Sequence, residues 1–196
     1  MNKLFLMVIV LGFIFSGCLT TTQPLPGVDD TNASTNLIGH WRLEEGEFAS
    51  DVSEDHHFFN IFLMPDTQTL MMVGASDKVI NEVDAFKVCK DDGAMCYDST
   101  IAQVKLKNWK LISLTDHFST DKDKVFIIVA FEVNTNGELE VYNVKDESVS
   151  KAVTDGKLSK VEDASDINSA PDKVIAWLAE LKEDDLKLYA KYQRIQ

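Results

Sequence analysis

From residue 37 onward the apolar positions fall in short runs, many of them at period two, broken by turn-forming clusters. That is the pattern of half-buried β-strands. Leu37 to Leu43 reads as a first strand, Phe58 to Met64 as a second stopped by Pro65-Asp66, and Thr69 to Val73 pairs back across that turn. Val79 to Cys89 alternates in part, at Val79, Val83, Phe86 and Val88. Ile101 to Leu106 and Trp109 to Leu114 follow. Lys124 to Val133 carries the most apolar stretch, Val125-Phe126-Ile127-Ile128-Val129-Ala130-Phe131, and is expected to be central. Asn136-Gly137 then marks a two-residue hairpin turn, and Glu138 to Val144 returns. After this the period lengthens. Asp146 to Asp155 places Val149, Ala152 and Val153 on one helical face, with Gly156 past its end. Ser169 is positioned to cap a second helix whose stripe is Val174, Ile175, Trp177, Leu178 and Leu181. A last strand spans Leu186 to Ile195. The expected fold is mainly β (α+β): an antiparallel β-barrel or sandwich with two short C-terminal helices. No internal repeat is present.

Ahead of this domain lies a different pattern. Lys3 precedes an apolar run from Leu4 to Phe15, which ends in the small residues Ser16 and Gly17 and then Cys18. The run is shorter than the roughly 18–20 apolar residues that span a bilayer, and its order of charge, apolar core and small residues is that of a secretory signal. Phe15-Ser16-Gly17-Cys18 resembles the lipobox of bacterial lipoproteins, with Phe15 where leucine is usual. The resemblance implies cleavage before Cys18 and lipidation of its thiol and freed amine with acyl chains such as palmitate. It implies a lipid bilayer as partner and a place in the cell envelope. Leu19 after the cysteine favours the outer membrane, facing the periplasm or the cell surface, in a diderm organism. The expected organisation is residues 1–17 as signal peptide, 18–36 as lipidated cysteine and flexible tether, and 37–196 as one β-rich globular domain.

Charge narrows the partners. The formal net charge is −13, and removal of residues 1–17 takes away Lys3 and no acid, giving −14. The only arginines are Arg42 and Arg194, and no basic cluster exists, which argues against nucleic acid. Of three cysteines, Cys18 is assigned to lipid, leaving Cys89 and Cys96 around Asp92-Gly93. In an exported protein such a pair reads as a disulfide across a hairpin base; the rival reading, a metal pair, lacks further Cys or His at useful spacing.

Gly39-x-Trp41 on the first strand resembles the opening motif of lipocalins and related calycin barrels. In that family the tryptophan plugs the closed end of the barrel and an arginine near the last strand packs across it. The resemblance makes Trp41 and Arg194 a barrel-closing pair, while the family's Thr-Asp-Tyr motif is absent: Thr120-Asp121 is followed by Lys122. The later half, from Ala152-Val153-Thr154-Asp155-Gly156 to the last strand, is similar to uncharacterised bacterial lipoproteins and brings no activity with it.

Catalytic chemistry finds no signature. His56-His57, if on a strand, point to opposite faces and cannot share one ion; a solvated turn is the simpler reading. His40 and His117 are isolated in sequence. Asp116, Asp121 and Asp123 lack the glycine and twelfth-position acid of a calcium loop. No nucleophile elbow, phosphate loop or zinc-protease helix occurs. The expectation is therefore no enzyme, no metal and no cofactor. Three functions remain in view: a barrel that binds a small apolar molecule, a tethered domain that docks to an envelope protein as an interaction, inhibitor or immunity-type lipoprotein, and an enzyme, which no motif supports.

Overall fold

The computed structural model describes residues 18–27, 35–46, 58–64, 69–75, 87–89, 95–106, 109–120, 124–162 and 165–195. The signal segment 1–17, His56-His57 and residues 79–86 of the partly alternating stretch lie outside the described residues. Among the described residues nine strands are present: β1 (Leu19–Thr21), β2 (Gly39–Glu45), β3 (Phe58–Leu63), β4 (Leu70–Ala75), β5 (Met95–Leu106), β6 (Trp109–Asp116), β7 (Phe126–Val133), β8 (Glu138–Val144) and β9 (Leu186–Ile195). Helices α1 (Asp146–Thr154) and α2 (Pro171–Leu178) lie between β8 and β9.

From β2 to β9 each strand pairs antiparallel with its successor, and β9 pairs back with β2. The result is a closed eight-stranded up-and-down barrel of lipocalin-like architecture. Closure removes the sheet edges that would otherwise invite aggregation. Eight strands enclose an interior that side chains or one small ligand can fill.

Strand alternation divides the side chains into three apolar layers. Inside the barrel lie Trp41, Phe59, Ile61, Ile112, Val129 and Tyr192, among others. Outside β6 and β7, residues Leu111, Ile128 and Ala130 are covered by Ala152 of α1 and by Val174, Trp177 and Leu178 of α2. A smaller outer layer joins Met71 and Val73 of β4 to Cys89 and Cys96.

The segment read as a flexible tether is corrected at its start. Leu19–Thr21 forms β1, and all three residues are buried. Leu19, Thr20 and Thr21 face Ile128, Ile127 and Phe126 of β7, while Leu25 packs into the helix-covered layer. The cause is a gap in the barrel wall. β8 pairs with β7 only from Ala130 to Val133, so the first half of that edge needs another partner, and the β-branched Thr20 and Thr21 fit a strand there.

Other differences are local. Residues 87–89 form a helical turn, not the end of a strand. Strand β5 begins six residues before Ile101, because Ser99 satisfies its buried hydroxyl by donating to the Leu70 carbonyl (2.9 Å). The β7–β8 connection has four residues, Asn134 to Gly137, not two, and the Asn134 N–H donates to the Glu138 carbonyl (2.9 Å) across it. Helix α2 starts at Pro171 with Ala170 as its cap, while the Ser169 hydroxyl accepts from the Ser159 N–H (2.6 Å). Proline suits that first position because its missing N–H would have had no helical partner.

Candidate functional site

The interior layer does not fill the barrel. A cavity of about 90 Å³ remains, walled by Ile61, Met72, Ile112, Ile127, Val129 and Phe131 and by further apolar and aromatic side chains, none of them charged. This follows from the strands: Ile127, Val129 and Phe131 are alternate residues of β7, and Leu139 and Val141 repeat the pattern on β8.

At the end of the barrel where β2 begins and β9 ends stand Gly39, Trp41 and Arg194. Trp41 is fully buried and donates from its indole N–H to the Leu37 carbonyl (2.8 Å). Trp41 and Arg194 are direct cross-strand partners, and the guanidinium carbon lies 4.6 Å from the centroid of the Trp41 ring. The guanidinium also donates to the carbonyl of Asn36. Gly39 has φ 144°, and a Cβ there would come within 3.7 Å of the guanidinium. Glycine thus supplies a backbone angle that side chains disfavour. Leu37 lines the cavity from this end. The structure therefore brings the two residues of the Gly-x-Trp reading together over one barrel mouth. Next to them, Phe59 and Tyr192 meet edge to face at 5.5 Å.

Among the described lining residues the polar groups are Cys18 and the phenols of Tyr97, Tyr189 and Tyr192. Tyr97 and Tyr192 line the cavity. Burial pushes the Tyr97 phenol well above its ordinary value, with the Asp116 carboxylate and then Cys18 adding to the effect. Burial does the same to Tyr192, reinforced by Tyr97. Cys18 lies in the cavity wall, and the Asn143 side-chain amide donates to its sulfur at 3.2 Å. Composition had no way to point to Asn143, Tyr97 or Tyr192. Parity does: Leu139 and Val141 put Asn143 on the inner face of β8, and Arg194 puts Tyr192 on the inner face of β9.

The remaining candidates sit apart from the cavity. Cys89 and Cys96 are joined by a disulfide, with Cα atoms 5.8 Å apart. It links the 87–89 turn to β5 and is not the base of a two-stranded hairpin. His40 donates from Nδ1 to Asn60 Oδ1 (2.7 Å). His117 is not isolated in the fold: it meets Asp98 at 2.8 Å and the Phe118 ring at 4.9 Å. Among the described residues no group of three or more His, Cys, Asp or Glu could hold a metal ion. No described helix is long and apolar enough to cross a membrane. Comparison with protein-family models, curated proteins and solved structures found no match to this chain.

Proposed function

We propose that this protein is an envelope lipoprotein, held to a bilayer through acyl chains on Cys18, whose barrel takes up a slender, uncharged aliphatic chain. The observation that carries the reading is the apolar cavity inside the barrel, with no charged residue among the described residues of its wall. Drug-sized ligands occupy roughly 300–1,000 Å³, so about 90 Å³ suits a length of unbranched chain and not a bulky ring system. Met72 and Met95 in the wall have flexible side chains that repack to lengthen the space. Each methylene that enters contributes about 0.8 kcal/mol. A free fatty-acid carboxylate would find no cation among the described lining residues, which favours chains whose head group is neutral or stays outside.

Docking to an envelope protein has less support. The large exposed hydrophobics among the described residues are Leu63 and Phe118. They lie at the β3–β4 and β6–β7 connections, at opposite ends of the barrel, and make no shared patch. Native mass spectrometry of the protein extracted from its own membrane tests the proposal. The expected species starts at Cys18, carries covalent lipid mass and has an aliphatic chain in its barrel. A chain cut elsewhere or without lipid overturns the anchor, and co-purification of a protein subunit with an unoccupied barrel overturns the binding reading in favour of docking.

A further inference from the structure

The position of Cys18 suggests which chain fills the cavity. Leu19 faces Ile128 across the β1–β7 ladder, so Cys18 stands opposite Val129. A residue before it would stand opposite Ala130, but that place is taken by Tyr142 of β8. Cys18 is thus the last residue that the ladder can hold, at the seam where β1 gives way to β8. Cys18 forms part of the cavity wall. Beside it Asn143 is 4 % exposed, and while its amide nitrogen donates to the sulfur, its Oδ1 has no hydrogen-bond donor. A buried carbonyl without a donor is costly. The amine that cleavage before Cys18 would free is a donor attached to the same residue.

We propose that an acyl chain borne by Cys18 itself turns back through this seam and occupies the barrel cavity. The inference rests on the lipoprotein reading above. Lipidation forms a bond from the Cys18 sulfur to a glycerol carbon of a phospholipid and breaks that carbon's bond to the phosphate head-group oxygen. The thiol proton is lost, the head group leaves with the electron pair, and nothing is oxidised or reduced. The attached chain then starts in the cavity wall. Covalent attachment gives it an effective concentration that a free lipid must match, in the millimolar range for short flexible links. The described wall residues carry no charge with which to fix a free acid, and a thioether-linked chain brings no charge with it. The remaining acyl chains stay in the bilayer.

The test uses the full chain, made in a bacterium that matures lipoproteins and is fed a fatty acid carrying a diazirine along its chain. After irradiation of the membranes, adducts are mapped by peptide mass spectrometry. Expected are adducts on the peptides of Met72, Met95 and Ile112, reduced about tenfold by a residue that fills the cavity, a change of roughly 1.4 kcal/mol. Ile112→Phe and Met72→Trp are two independent fillings, so a folding failure in one leaves the other to decide. Adducts confined to phospholipid, or barrel adducts that neither filling reduces, overturn the inference. A fluorescent monoacylglycerol is titrated in parallel into the unlipidated Cys18→Ser chain. Binding there without barrel adducts in the lipidated protein means that the cavity takes free lipid: the inference fails and the reading of the barrel stands. Absence of both sinks the two together.

Discussion

The two faces of β6 and β7 are packed in different ways. On the outer face Leu111, Ile128 and Ala130 disappear beneath α1 and α2, with Leu178 and Ala130 fully buried. On the inner face their neighbours Ile112, Ile127 and Val129 border a space of about 90 Å³. The residues are equally apolar, so composition does not explain the difference. A helix laid on a sheet can slide and tilt until its side chains meet the sheet. A closed barrel cannot, because its radius follows from strand number and stagger. Space left inside stays until something fills it, and the same hydrophobic residues become scaffold on one face and receptor on the other.

The comparison breaks most sharply under truncation. Leu178→Ala in the outer layer is expected to cost about 2–5 kcal/mol, since a rigid neighbourhood leaves a new void, read as a fall in the denaturant midpoint. Reduction of Cys89–Cys96, in the small third layer, is expected to cost about 2–3 kcal/mol for a loop this short, read from melts with and without reductant after free thiols are counted. At the barrel end that holds Trp41, Arg194→Gln removes the cation over Trp41 and is expected to cost about 0.5–2 kcal/mol, read from thermal unfolding; no change in the melt would mean that the exposed guanidinium contributes nothing to stability there. Inside the barrel the sign of the steric argument turns. Ile112→Phe adds bulk where room exists, so its cost is expected to stay below about 1.5 kcal/mol while uptake of an alkyl probe by the unlipidated Cys18→Ser protein falls. A larger loss of stability would show that the space is smaller or stiffer than described.

The tyrosines extend the contrast to pH. Tyr142, on the outer face, donates to Glu140 (2.5 Å), and burial followed by that carboxylate pushes its phenol up to about 12. Tyr97 and Tyr192 inside the barrel are pushed up further, mainly by burial. Below the ordinary value of 10.0 both folded and unfolded chains keep these protons. As pH rises past it, the unfolded chain releases protons that the folded chain retains, and stability falls. Absorbance titration is expected to show Tyr142 ionising near 12 and the two interior phenols ionising only with unfolding. An interior phenolate that forms while the far-ultraviolet spectrum stays native would mean that water reaches the cavity freely.

Much of this fold is readable from the chain. The alternation of β7 and β8 and the stripe of α2 follow from local spacing, and the pair Trp41–Arg194 follows from the resemblance of Gly39-x-Trp41 to the lipocalin opening. What stays hidden is set by partners distant in sequence. Leu19-Thr20-Thr21 has too few apolar residues to announce a strand, and becomes one because β8 leaves half of one edge of β7 bare. Asp98-Ser99-Thr100 looks like a loop, and is strand because the Leu70 carbonyl takes the Ser99 hydroxyl. The cavity itself is invisible in sequence, where an unfilled interior and a filled one show the same alternation. Asn143 gains its meaning only when the seam brings Cys18 beside it.

The short strand after Cys18 also sets a length. For a chain held to a membrane by that residue, β1 leaves no slack: the lipid and the barrel wall are one residue apart. If the three residue pairs between β1 and β7, the hydrogen bonds of Thr20 and Thr22 to Ile167 and the packing of Leu25 all let go, residues 19–36 pay out as a leash of up to about 60 Å, at roughly 3.3 Å per residue. The acidic barrel would then stand off from an anionic bilayer instead of lying flush against it. The β1 ladder, the Ile167 bonds and the Leu25 contact are thus the clasp between a short-leashed and a long-leashed protein.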